Sequence, residues 1–335
     1  MKEEETRVSE ILQYYLDGYG MSIFGCVSLI SNFISALVHL KYKGRSTFDN
    51  LVIMLSVSDL LFVLVAVTEM SLITVFQWPI HPRHPLMFLL TPKFFYPMKN
   101  ILSNLSMFLT LSIAIERYMA VCKPLTHRDL KGTFLGSAWI HLIVSTILAL
   151  GINVTKWFET TVKERSYFLG GKYGDRSDPA LWKTKLVYRM TDMRASPYYV
   201  SFGMVIPRWV FQMLAPLILL TIFSILTGIK LREFLARSEN RKEVRPTLIT
   251  GLLILEFILL NIPRYILIIS EALLNTKTPP DWFFCLMSVN NLLQILNTNM
   301  NFFFYAVMNK NFRNGLKSLF FRRCQTDSQG PIVDV

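Results

Sequence analysis

The chain has 335 residues, of which 52% are hydrophobic and only 17% are charged. A soluble domain of this length carries more charge, and the mean hydropathy of +0.38 is typical of a protein that crosses the membrane several times. Four cysteines, at positions 26, 122, 285 and 324, are too few for a disulfide scaffold. The net charge of +12 comes from basic residues beside apolar segments, without a DNA- or RNA-binding motif, so we expect no nucleic-acid partner.

Seven apolar segments, each interpreted as a helix, predict an all-α membrane protein with a seven-transmembrane bundle over residues 18–309. In the third segment, 100–125, Lys99 and Glu116 bound 16 uncharged residues. At 1.5 Å per residue these cover roughly 24 Å, most of a hydrocarbon core. The other segments lie at 18–40, about 50–76, 132–155, 209–229, about 246–274 and 282–309.

Lysines and arginines predict the orientation of the bundle. They concentrate in the loops that follow the first, third, fifth and seventh segments, which all fall on one side, so that side is cytoplasmic. Residues 1–17 then form an extracellular N-terminus, and 156–207 form a long outer loop. This loop is basic, which fits either a solvated loop or an electropositive lid for anionic groups.

An amphipathic eighth helix is predicted over residues 310–324. Phe312, Leu316 and Leu319 recur at helical spacing with basic residues opposite, a pattern typical of a helix lying on an anionic inner leaflet. Cys324 at its end is either a palmitoylation site or an unmodified thiol. Residues 325–335 form the cytoplasmic tail.

Several short motifs occur in chain order at compatible spacings. They are Asp59 in Leu-Ser-Val-Ser-Asp, Glu116-Arg117-Tyr118, Pro263 in the sixth segment, and Asn301-Phe-Phe-Phe-Tyr305 in the seventh. Together with the seven segments they resemble rhodopsin-like (class A) G-protein-coupled receptors. Residues 115–125, 153–159 and 191–199 further resemble invertebrate FMRFamide-type neuropeptide receptors.

The sequence also departs from the pattern of that class. Asn261 stands where its sixth helix carries a tryptophan, and Phe302 replaces a proline of its seventh. The disulfide that usually ties the third helix to the outer loop is missing, with Pro92 at the expected position. Cys26 and Cys285 lie at depths too different to substitute. The outer loop is therefore either ordered by packing or mobile.

The resemblance implies three groups of functional residues. The outer cavity for a ligand would be lined by Glu69, Tyr96, Lys99, Ser103, Arg264, Tyr265 and Asn291. A polar network around Asp59 would include Asn32, Ser106, Asn297, Thr298 and Asn301. Activation and G-protein contact would involve Glu116, Arg117, Tyr118, Glu243, Phe257, Pro263 and Tyr305.

The intramembrane charges allow alternatives. Asp59 and its oxygen- and amide-bearing neighbours suit a hydrated Na⁺, the one candidate ion, or a hydrogen-bond network without an ion. Glu69 either receives the arginine of an RFamide-like peptide or is neutralised by Lys99 or Arg264. Arg117 pairs with Glu116 and with Glu243 until the sixth helix moves outward. Glu256 has no evident partner.

The resemblance implies a plasma-membrane receptor that binds an extracellular neuropeptide and activates a heterotrimeric G protein, with arrestin and membrane lipids as further partners. No enzyme or cofactor is expected, because no nucleophile–base pair, metal-ligand cluster or phosphate loop is visible. The alternatives are a chemosensory receptor for small molecules and a membrane transporter or channel. Transporters commonly show inverted repeats and broken helix pairs, and neither is visible here.

Overall fold

The computed structural model describes residues 8, 10–42, 45–72, 89–168, 182–237, 255–256, 258–274 and 280–321. Its principal helices within these ranges are α1 (Met21–Leu40), α2 (Thr47–Ala66), α3 (Tyr96–Cys122), α4 (Ala138–Asn153), α5 (Ala215–Arg237), α6 (Ile262–Leu274), α7 (Asp281–Met308) and α8 (Lys310–Phe321). Shorter helices are named below by their ranges. The helical architecture agrees with the predicted class.

Five helices in the described chain are long and apolar enough to cross a membrane: Glu10–Leu40, Thr47–Ser71, Thr91–Cys122, Ala138–Glu159 and Tyr199–Lys230. The sixth predicted segment contributes a shorter apolar helix, Ile258–Ser270. The seventh, α7, has 28 residues, about 42 Å at the helical rise. Its asparagines at positions 290, 291, 297, 299 and 301 lower its hydropathy.

Several boundaries differ from the prediction. The first helix begins at Glu10, ahead of the π-helical stretch Tyr14–Gly20, so residues 10–17 are not a separate terminal segment. Residues 10–17 pack as part of the helix bundle, because Asp17 is buried and accepts a hydrogen bond from Ser288 of α7. The fourth helix begins at Ala138 rather than at 132, because Gly132 has a φ of 93° and cannot continue a right-handed helix.

α3 runs through the middle of the bundle and packs against α2, α4 and α5. Its buried Leu109 and Ile113 share one apolar cluster with Leu51 of α2 and Tyr305 of α7. Phe312 of α8 completes that cluster, with its ring centroid 5.9 Å from that of Tyr305. The eighth helix is therefore attached to the bundle through a buried aromatic side chain. Cys324 and the tail 325–335 lie outside the described residues.

The predicted outer loop 156–207 contains regular structure. Strands β1 (Thr160–Phe168) and β2 (Trp182–Met190) pair as an antiparallel hairpin, in register from Thr160 opposite Met190 to Phe168 opposite Trp182. Short helices precede and follow the hairpin, Lys156–Glu159 and Asp192–Ala195, and the next membrane helix starts at Tyr199. This two-stranded sheet is an addition to the all-α prediction.

Glu159 holds the base of the hairpin without a disulfide. Its carboxylate accepts hydrogen bonds from Lys156 and Tyr199, both at 2.7 Å, and lies 4.0 Å from Arg194. Lys93, one residue after Pro92, donates to the backbone carbonyl of Trp157 at 2.9 Å. Cysteines 26, 122 and 285 are free thiols. The sequence left open whether this loop is ordered by packing or mobile. The described residues of the loop are ordered by packing.

Replacing Glu159 with Gln should destabilise the protein. The side chains of Lys156 and Glu159 are each only 4% exposed, so the change leaves a buried ammonium without its counter-charge, a loss of about 3–5 kcal/mol. Thermal unfolding of the purified protein measures this, with Glu164→Gln on the exposed surface of β1 as the matched control. Equal unfolding temperatures for the two variants would show that the Glu159 pair does not hold the hairpin.

Candidate functional site

Lys99 of α3 forms an ion pair inside the bundle with Glu69. Lys99 Nζ lies 2.7 Å from Glu69 Oε2, and the two side chains are 15% and 4% exposed. Glu69 belongs to the π-helical stretch Val67–Leu72 that follows α2. Because a π-helix has more residues per turn than an α-helix, this stretch changes the direction in which Glu69 projects. Of the predicted partners for Glu69, the structure selects Lys99 and not Arg264.

A second carboxylate, Asp17, lies close to this pair. Asp17 accepts hydrogen bonds from Ser288 at 2.6 Å and from Asn291 at 3.4 Å, and Lys99 acts on it electrostatically. We call Asp17, Glu69, Lys99, Ser288 and Asn291 the Lys99 cluster. Asp17 and Ser288 are not among the site residues predicted from the sequence. The available signal was an acidic residue immediately before the first uncharged run.

Tyr188 of the β-hairpin is influenced by the charge of Glu69 in the Lys99 cluster. Burial raises the pKa of the Tyr188 hydroxyl, its hydrogen bond with Thr91 opposes that rise, and the negative charge of Glu69 adds to it. Tyr188 therefore lies within electrostatic range of Glu69. The hairpin that Glu159 anchors is part of the surroundings of the candidate site.

Arg264 of α6 lies deeper, and the partners that the described residues provide for it are neutral. Its guanidinium donates to Asn104 Oδ1 at 3.1 Å, Gln212 Oε1 at 3.2 Å and Ser103 Oγ at 3.3 Å. Among the described residues, no carboxylate lies within ion-pair distance of it. Because an arginine stays protonated even when buried, this cation retains capacity for a ligand's acceptor groups. Asn104 and Gln212 were not predicted.

A small cavity of about 20 Å³ lies beside Arg264, with Ser103 and Asn297 also in its wall. That volume is enough for about one water molecule. Two other predicted lining residues lie elsewhere. Tyr96 has its ring 5.7 Å from Lys156 Nζ, and Tyr265 is buried with its hydroxyl unbonded in the described structure.

Asp59 lies halfway along the bundle with two hydrogen-bond donors. Ser106 Oγ donates to it at 2.5 Å and Asn301 Nδ2 at 3.3 Å. Asn32, in contrast, donates to Ser28 and to the carbonyl of Thr298, which joins α1 to α7 instead. The structure thus divides the predicted network into two groups.

The surroundings of Asp59 offer few ligands for a metal ion. No group of three or more His, Cys, Asp or Glu side chains in the described ranges is arranged for metal binding. One oxygen that suits a cation is Asn297 Oδ1, which is buried and lacks a hydrogen-bond partner. Glu256 also has a buried, unbonded oxygen and lies within electrostatic range of Asp59. The described residues thus leave unbonded oxygens of Asn297 and Glu256 in the region around Asp59 and its donor Ser106.

At the other end of α3, Arg117 makes two contacts, and its partner Glu116 makes a third. Its Nε lies 2.9 Å from Glu116 Oε2, and its guanidinium stacks 3.7 Å above the ring of Phe48. His127 Nε2 approaches the other oxygen of Glu116 at 3.3 Å. The pairing with Glu116 was expected, whereas Phe48 and His127 were not. The sequence signals for these two contacts were an aromatic residue just before the second predicted segment and a histidine just after the third.

The remaining predicted activation residues either lie around the Arg117 end of α3 or fall outside the residues that the structure describes. Tyr118 stacks on Phe223 of α5 with ring centroids 5.2 Å apart, and Tyr305 is buried against His39. Pro263 lies in the first turn of α6. Glu243 and Phe257 lie outside the described residues.

Comparison with known proteins identifies the family. The family model described as serpentine type 7TM GPCR chemoreceptor Srw matches residues 19–323. The chain belongs to this family of G-protein-coupled receptors. The predicted receptor class and multi-pass membrane architecture are thereby confirmed, and the family consists of receptors rather than enzymes or transporters.

Individual relatives are more distant. The chain is 23% identical to the FMRFamide receptor of Drosophila melanogaster over 96% of this chain, which spans only 57% of that receptor's length. It is 25% identical to the sex peptide receptor of the same organism, over 92% of this chain and 73% of the relative. It is 27% identical to the adenosine receptor A2b of Rattus norvegicus, over 69% of this chain and 70% of the relative.

The Glu69–Lys99 pair should contribute strongly to the stability of this Srw-family receptor. Glu69→Gln removes the carboxylate that pairs with Lys99 and should cost about 3 kcal/mol, whereas Glu69→Gln combined with Lys99→Gln, which also removes the ammonium, should recover most of it. Thermal unfolding in detergent measures both, with the exposed Glu10→Gln as the control. A double variant no more stable than the single variant would contradict a direct ion pair.

Proposed function

We propose that this protein is a plasma-membrane receptor that binds an extracellular peptide and activates a heterotrimeric G protein. Its N-terminus would be outside and its C-terminus inside, as the basic loops favour. The observation that carries the proposal is the charge distribution on α3. Lys99 and Arg117, 18 residues apart in the sequence, each pair with a carboxylate in the membrane region. At the helical rise these cations are about 27 Å apart, so one faces the ligand side and the other the G-protein side.

The Lys99 cluster suits a cationic group on the ligand. It contains two carboxylates, Asp17 and Glu69, and one ammonium, Lys99, so its formal charge is negative. A guanidinium would complete the charge balance with two planar hydrogen bonds to a carboxylate. Arg264 would face carbonyl oxygens of the same peptide. The names of the FMRFamide and sex peptide receptors support a peptide, and an RFamide-like sequence supplies the required arginine.

Activation would be a shift between two states. A ligand activates only if it binds the state with an open G-protein side more tightly than the closed one. In the closed state Arg117 is covered by Glu116 and Phe48. Opening would free Arg117 for the G protein, with Tyr118, Tyr305 and Pro263 shifting around it and Glu243 and Phe257 acting on the sixth helix. Arrestin would use the same face, and palmitoylation of Cys324 would tether α8 to the inner leaflet.

A chemosensory receptor for small molecules is the second candidate. The description of the matching family as chemoreceptors favours it. A ligand with few atoms would use Arg264 and Ser103 rather than the Lys99 cluster, and the cavity beside them, which holds about one water molecule in this structure, would have to widen to admit it.

A peptide library tested in transfected cells with a nucleotide-exchange readout decides between the two candidates. We expect activation by peptides that contain arginine, and loss of that activation in Arg117→Ala at unchanged surface expression. Activation by small polar molecules but by none of the peptides would replace the proposal with the chemosensory function. Undiminished signalling by Arg117→Ala would remove the assigned role of Arg117.

We further propose that Asp59 holds Na⁺ in the closed state, with Asn297 Oδ1 as a second oxygen. A bound cation would stabilise the packing of α2, α3 and α7. The purified receptor should therefore unfold at a higher temperature in sodium chloride than in choline chloride at equal ionic strength. Asp59→Asn should abolish this difference and the exposed Asp129→Asn should preserve it. A sodium effect that persists in Asp59→Asn would place the ion elsewhere.

A further inference from the structure

Two adjoining cavities lie along α3 and α4 at the Arg117 end of the bundle. The first has a volume of about 340 Å³ and is lined mostly by apolar side chains, including Leu111, Val144 and Leu148. The second has about 270 Å³ and contains the polar and charged groups of Glu116, His127 and Lys131. Ile115, Leu135 and His141 belong to both walls. The cavities therefore form one continuous site, apolar at one end and polar at the other.

The polar end carries an available positive charge. Glu116 is already engaged by Arg117 and His127. Lys131 is exposed and has no carboxylate partner in the part of the chain that the structure describes. His141, at the junction, makes no hydrogen bond to another described residue. A group that satisfies these donors must be an acceptor, and charge complementarity with Lys131 makes it an anion.

The apolar end is open to the membrane. Val144 and Leu148 are 47% and 39% exposed, and the neighbouring Trp139 is 62% exposed. In a membrane protein these side chains face acyl chains rather than water. Each cavity is close to the lower limit of known ligand sites, about 300 Å³, and together they fall within the range.

We propose that this two-part cavity binds an anionic phospholipid of the inner leaflet. One acyl chain lies between α3 and α4, and the phosphate lies beside Lys131 and His141. The orientation proposed above puts Lys131 at the cytoplasmic surface, where anionic lipids are abundant. The occupant therefore enters sideways from the bilayer, and its headgroup lies in the same cavity as the Glu116 carboxylate that holds Arg117.

Native mass spectrometry of the purified full-length receptor tests this site, with dioleoyl phosphatidylserine and dioleoyl phosphatidylcholine as the probes. Phosphatidylserine should bind more tightly, and Lys131→Gln should weaken it about five-fold, the contribution of one lysine to an anionic surface. Arg128→Gln is the matched control, because Arg128 is exposed on the same loop and does not line the cavity.

A second pair of variants tests the apolar end. Val144→Trp fills the cavity and should reduce phosphatidylserine binding several-fold, whereas Ile147→Trp, 63% exposed on the same helix and outside the cavity wall, should not. Equal affinity for the two lipids, or equal effects of Lys131→Gln and Arg128→Gln, would overturn the anionic headgroup site. Equal effects of the two tryptophan variants would overturn the position of the acyl chain. None of these outcomes depends on the identity of the receptor's agonist.

Discussion

The cost of a charge inside a membrane organises this receptor. α3 carries a cation at each end of its membrane span, and each would be prohibitively costly without a carboxylate nearby. Glu69 neutralises Lys99 from the end of α2, while Glu116 neutralises Arg117 from within α3 itself. The first pair ties two helices together, whereas the second can be broken without separating any helices. That asymmetry suits a stable ligand end and a releasable G-protein end.

Polar contacts connect these two ends through the middle of the bundle. Ser106 on α3 donates to Asp59 on α2, and Asn301 on α7 donates to the same carboxylate. A displacement of α3 at Lys99 would therefore strain the bonds at Asp59 before it reached Arg117. Arg264 adds α6 to this connection through its hydrogen bonds with α3. A ligand that competes for Lys99 or Arg264 would act on all of these helices.

The absence of the usual disulfide changes how the outer region is held. A covalent bond tolerates large changes in charge around it, whereas the Glu159 cluster depends on one carboxylate with a lysine and a tyrosine as donors. Tyr188 of the hairpin that it anchors lies within electrostatic range of Glu69. The hairpin is therefore held by charge and hydrogen bonds rather than by a fixed crosslink.

Sequence reasoning predicted the features that depend on local pattern. The membrane segments follow from runs without charge, and the partners Glu116 for Arg117 and Ser106 for Asp59 follow from family motifs. It missed contacts that depend on how distant segments meet. Asp17 was assigned to a terminal segment because its partner on α7 lies 271 positions away.

Two further features could not be predicted for related reasons. The π-helical stretch that directs Glu69 has no simple residue signature, so a regular helix does not predict the direction of its side chain. The hairpin strands carry many charged residues, and only their mutual pairing distinguishes them from a solvated loop.

We propose that Glu116 keeps Arg117 unavailable to the G protein in the resting receptor. Basal nucleotide exchange by Glu116→Gln, reconstituted with purified G protein and without any ligand, tests this most directly. We expect exchange clearly above that of the wild type at equal receptor amount, because the variant removes the charge that holds the guanidinium. Basal exchange at the wild-type level, in a variant that folds normally, would contradict it.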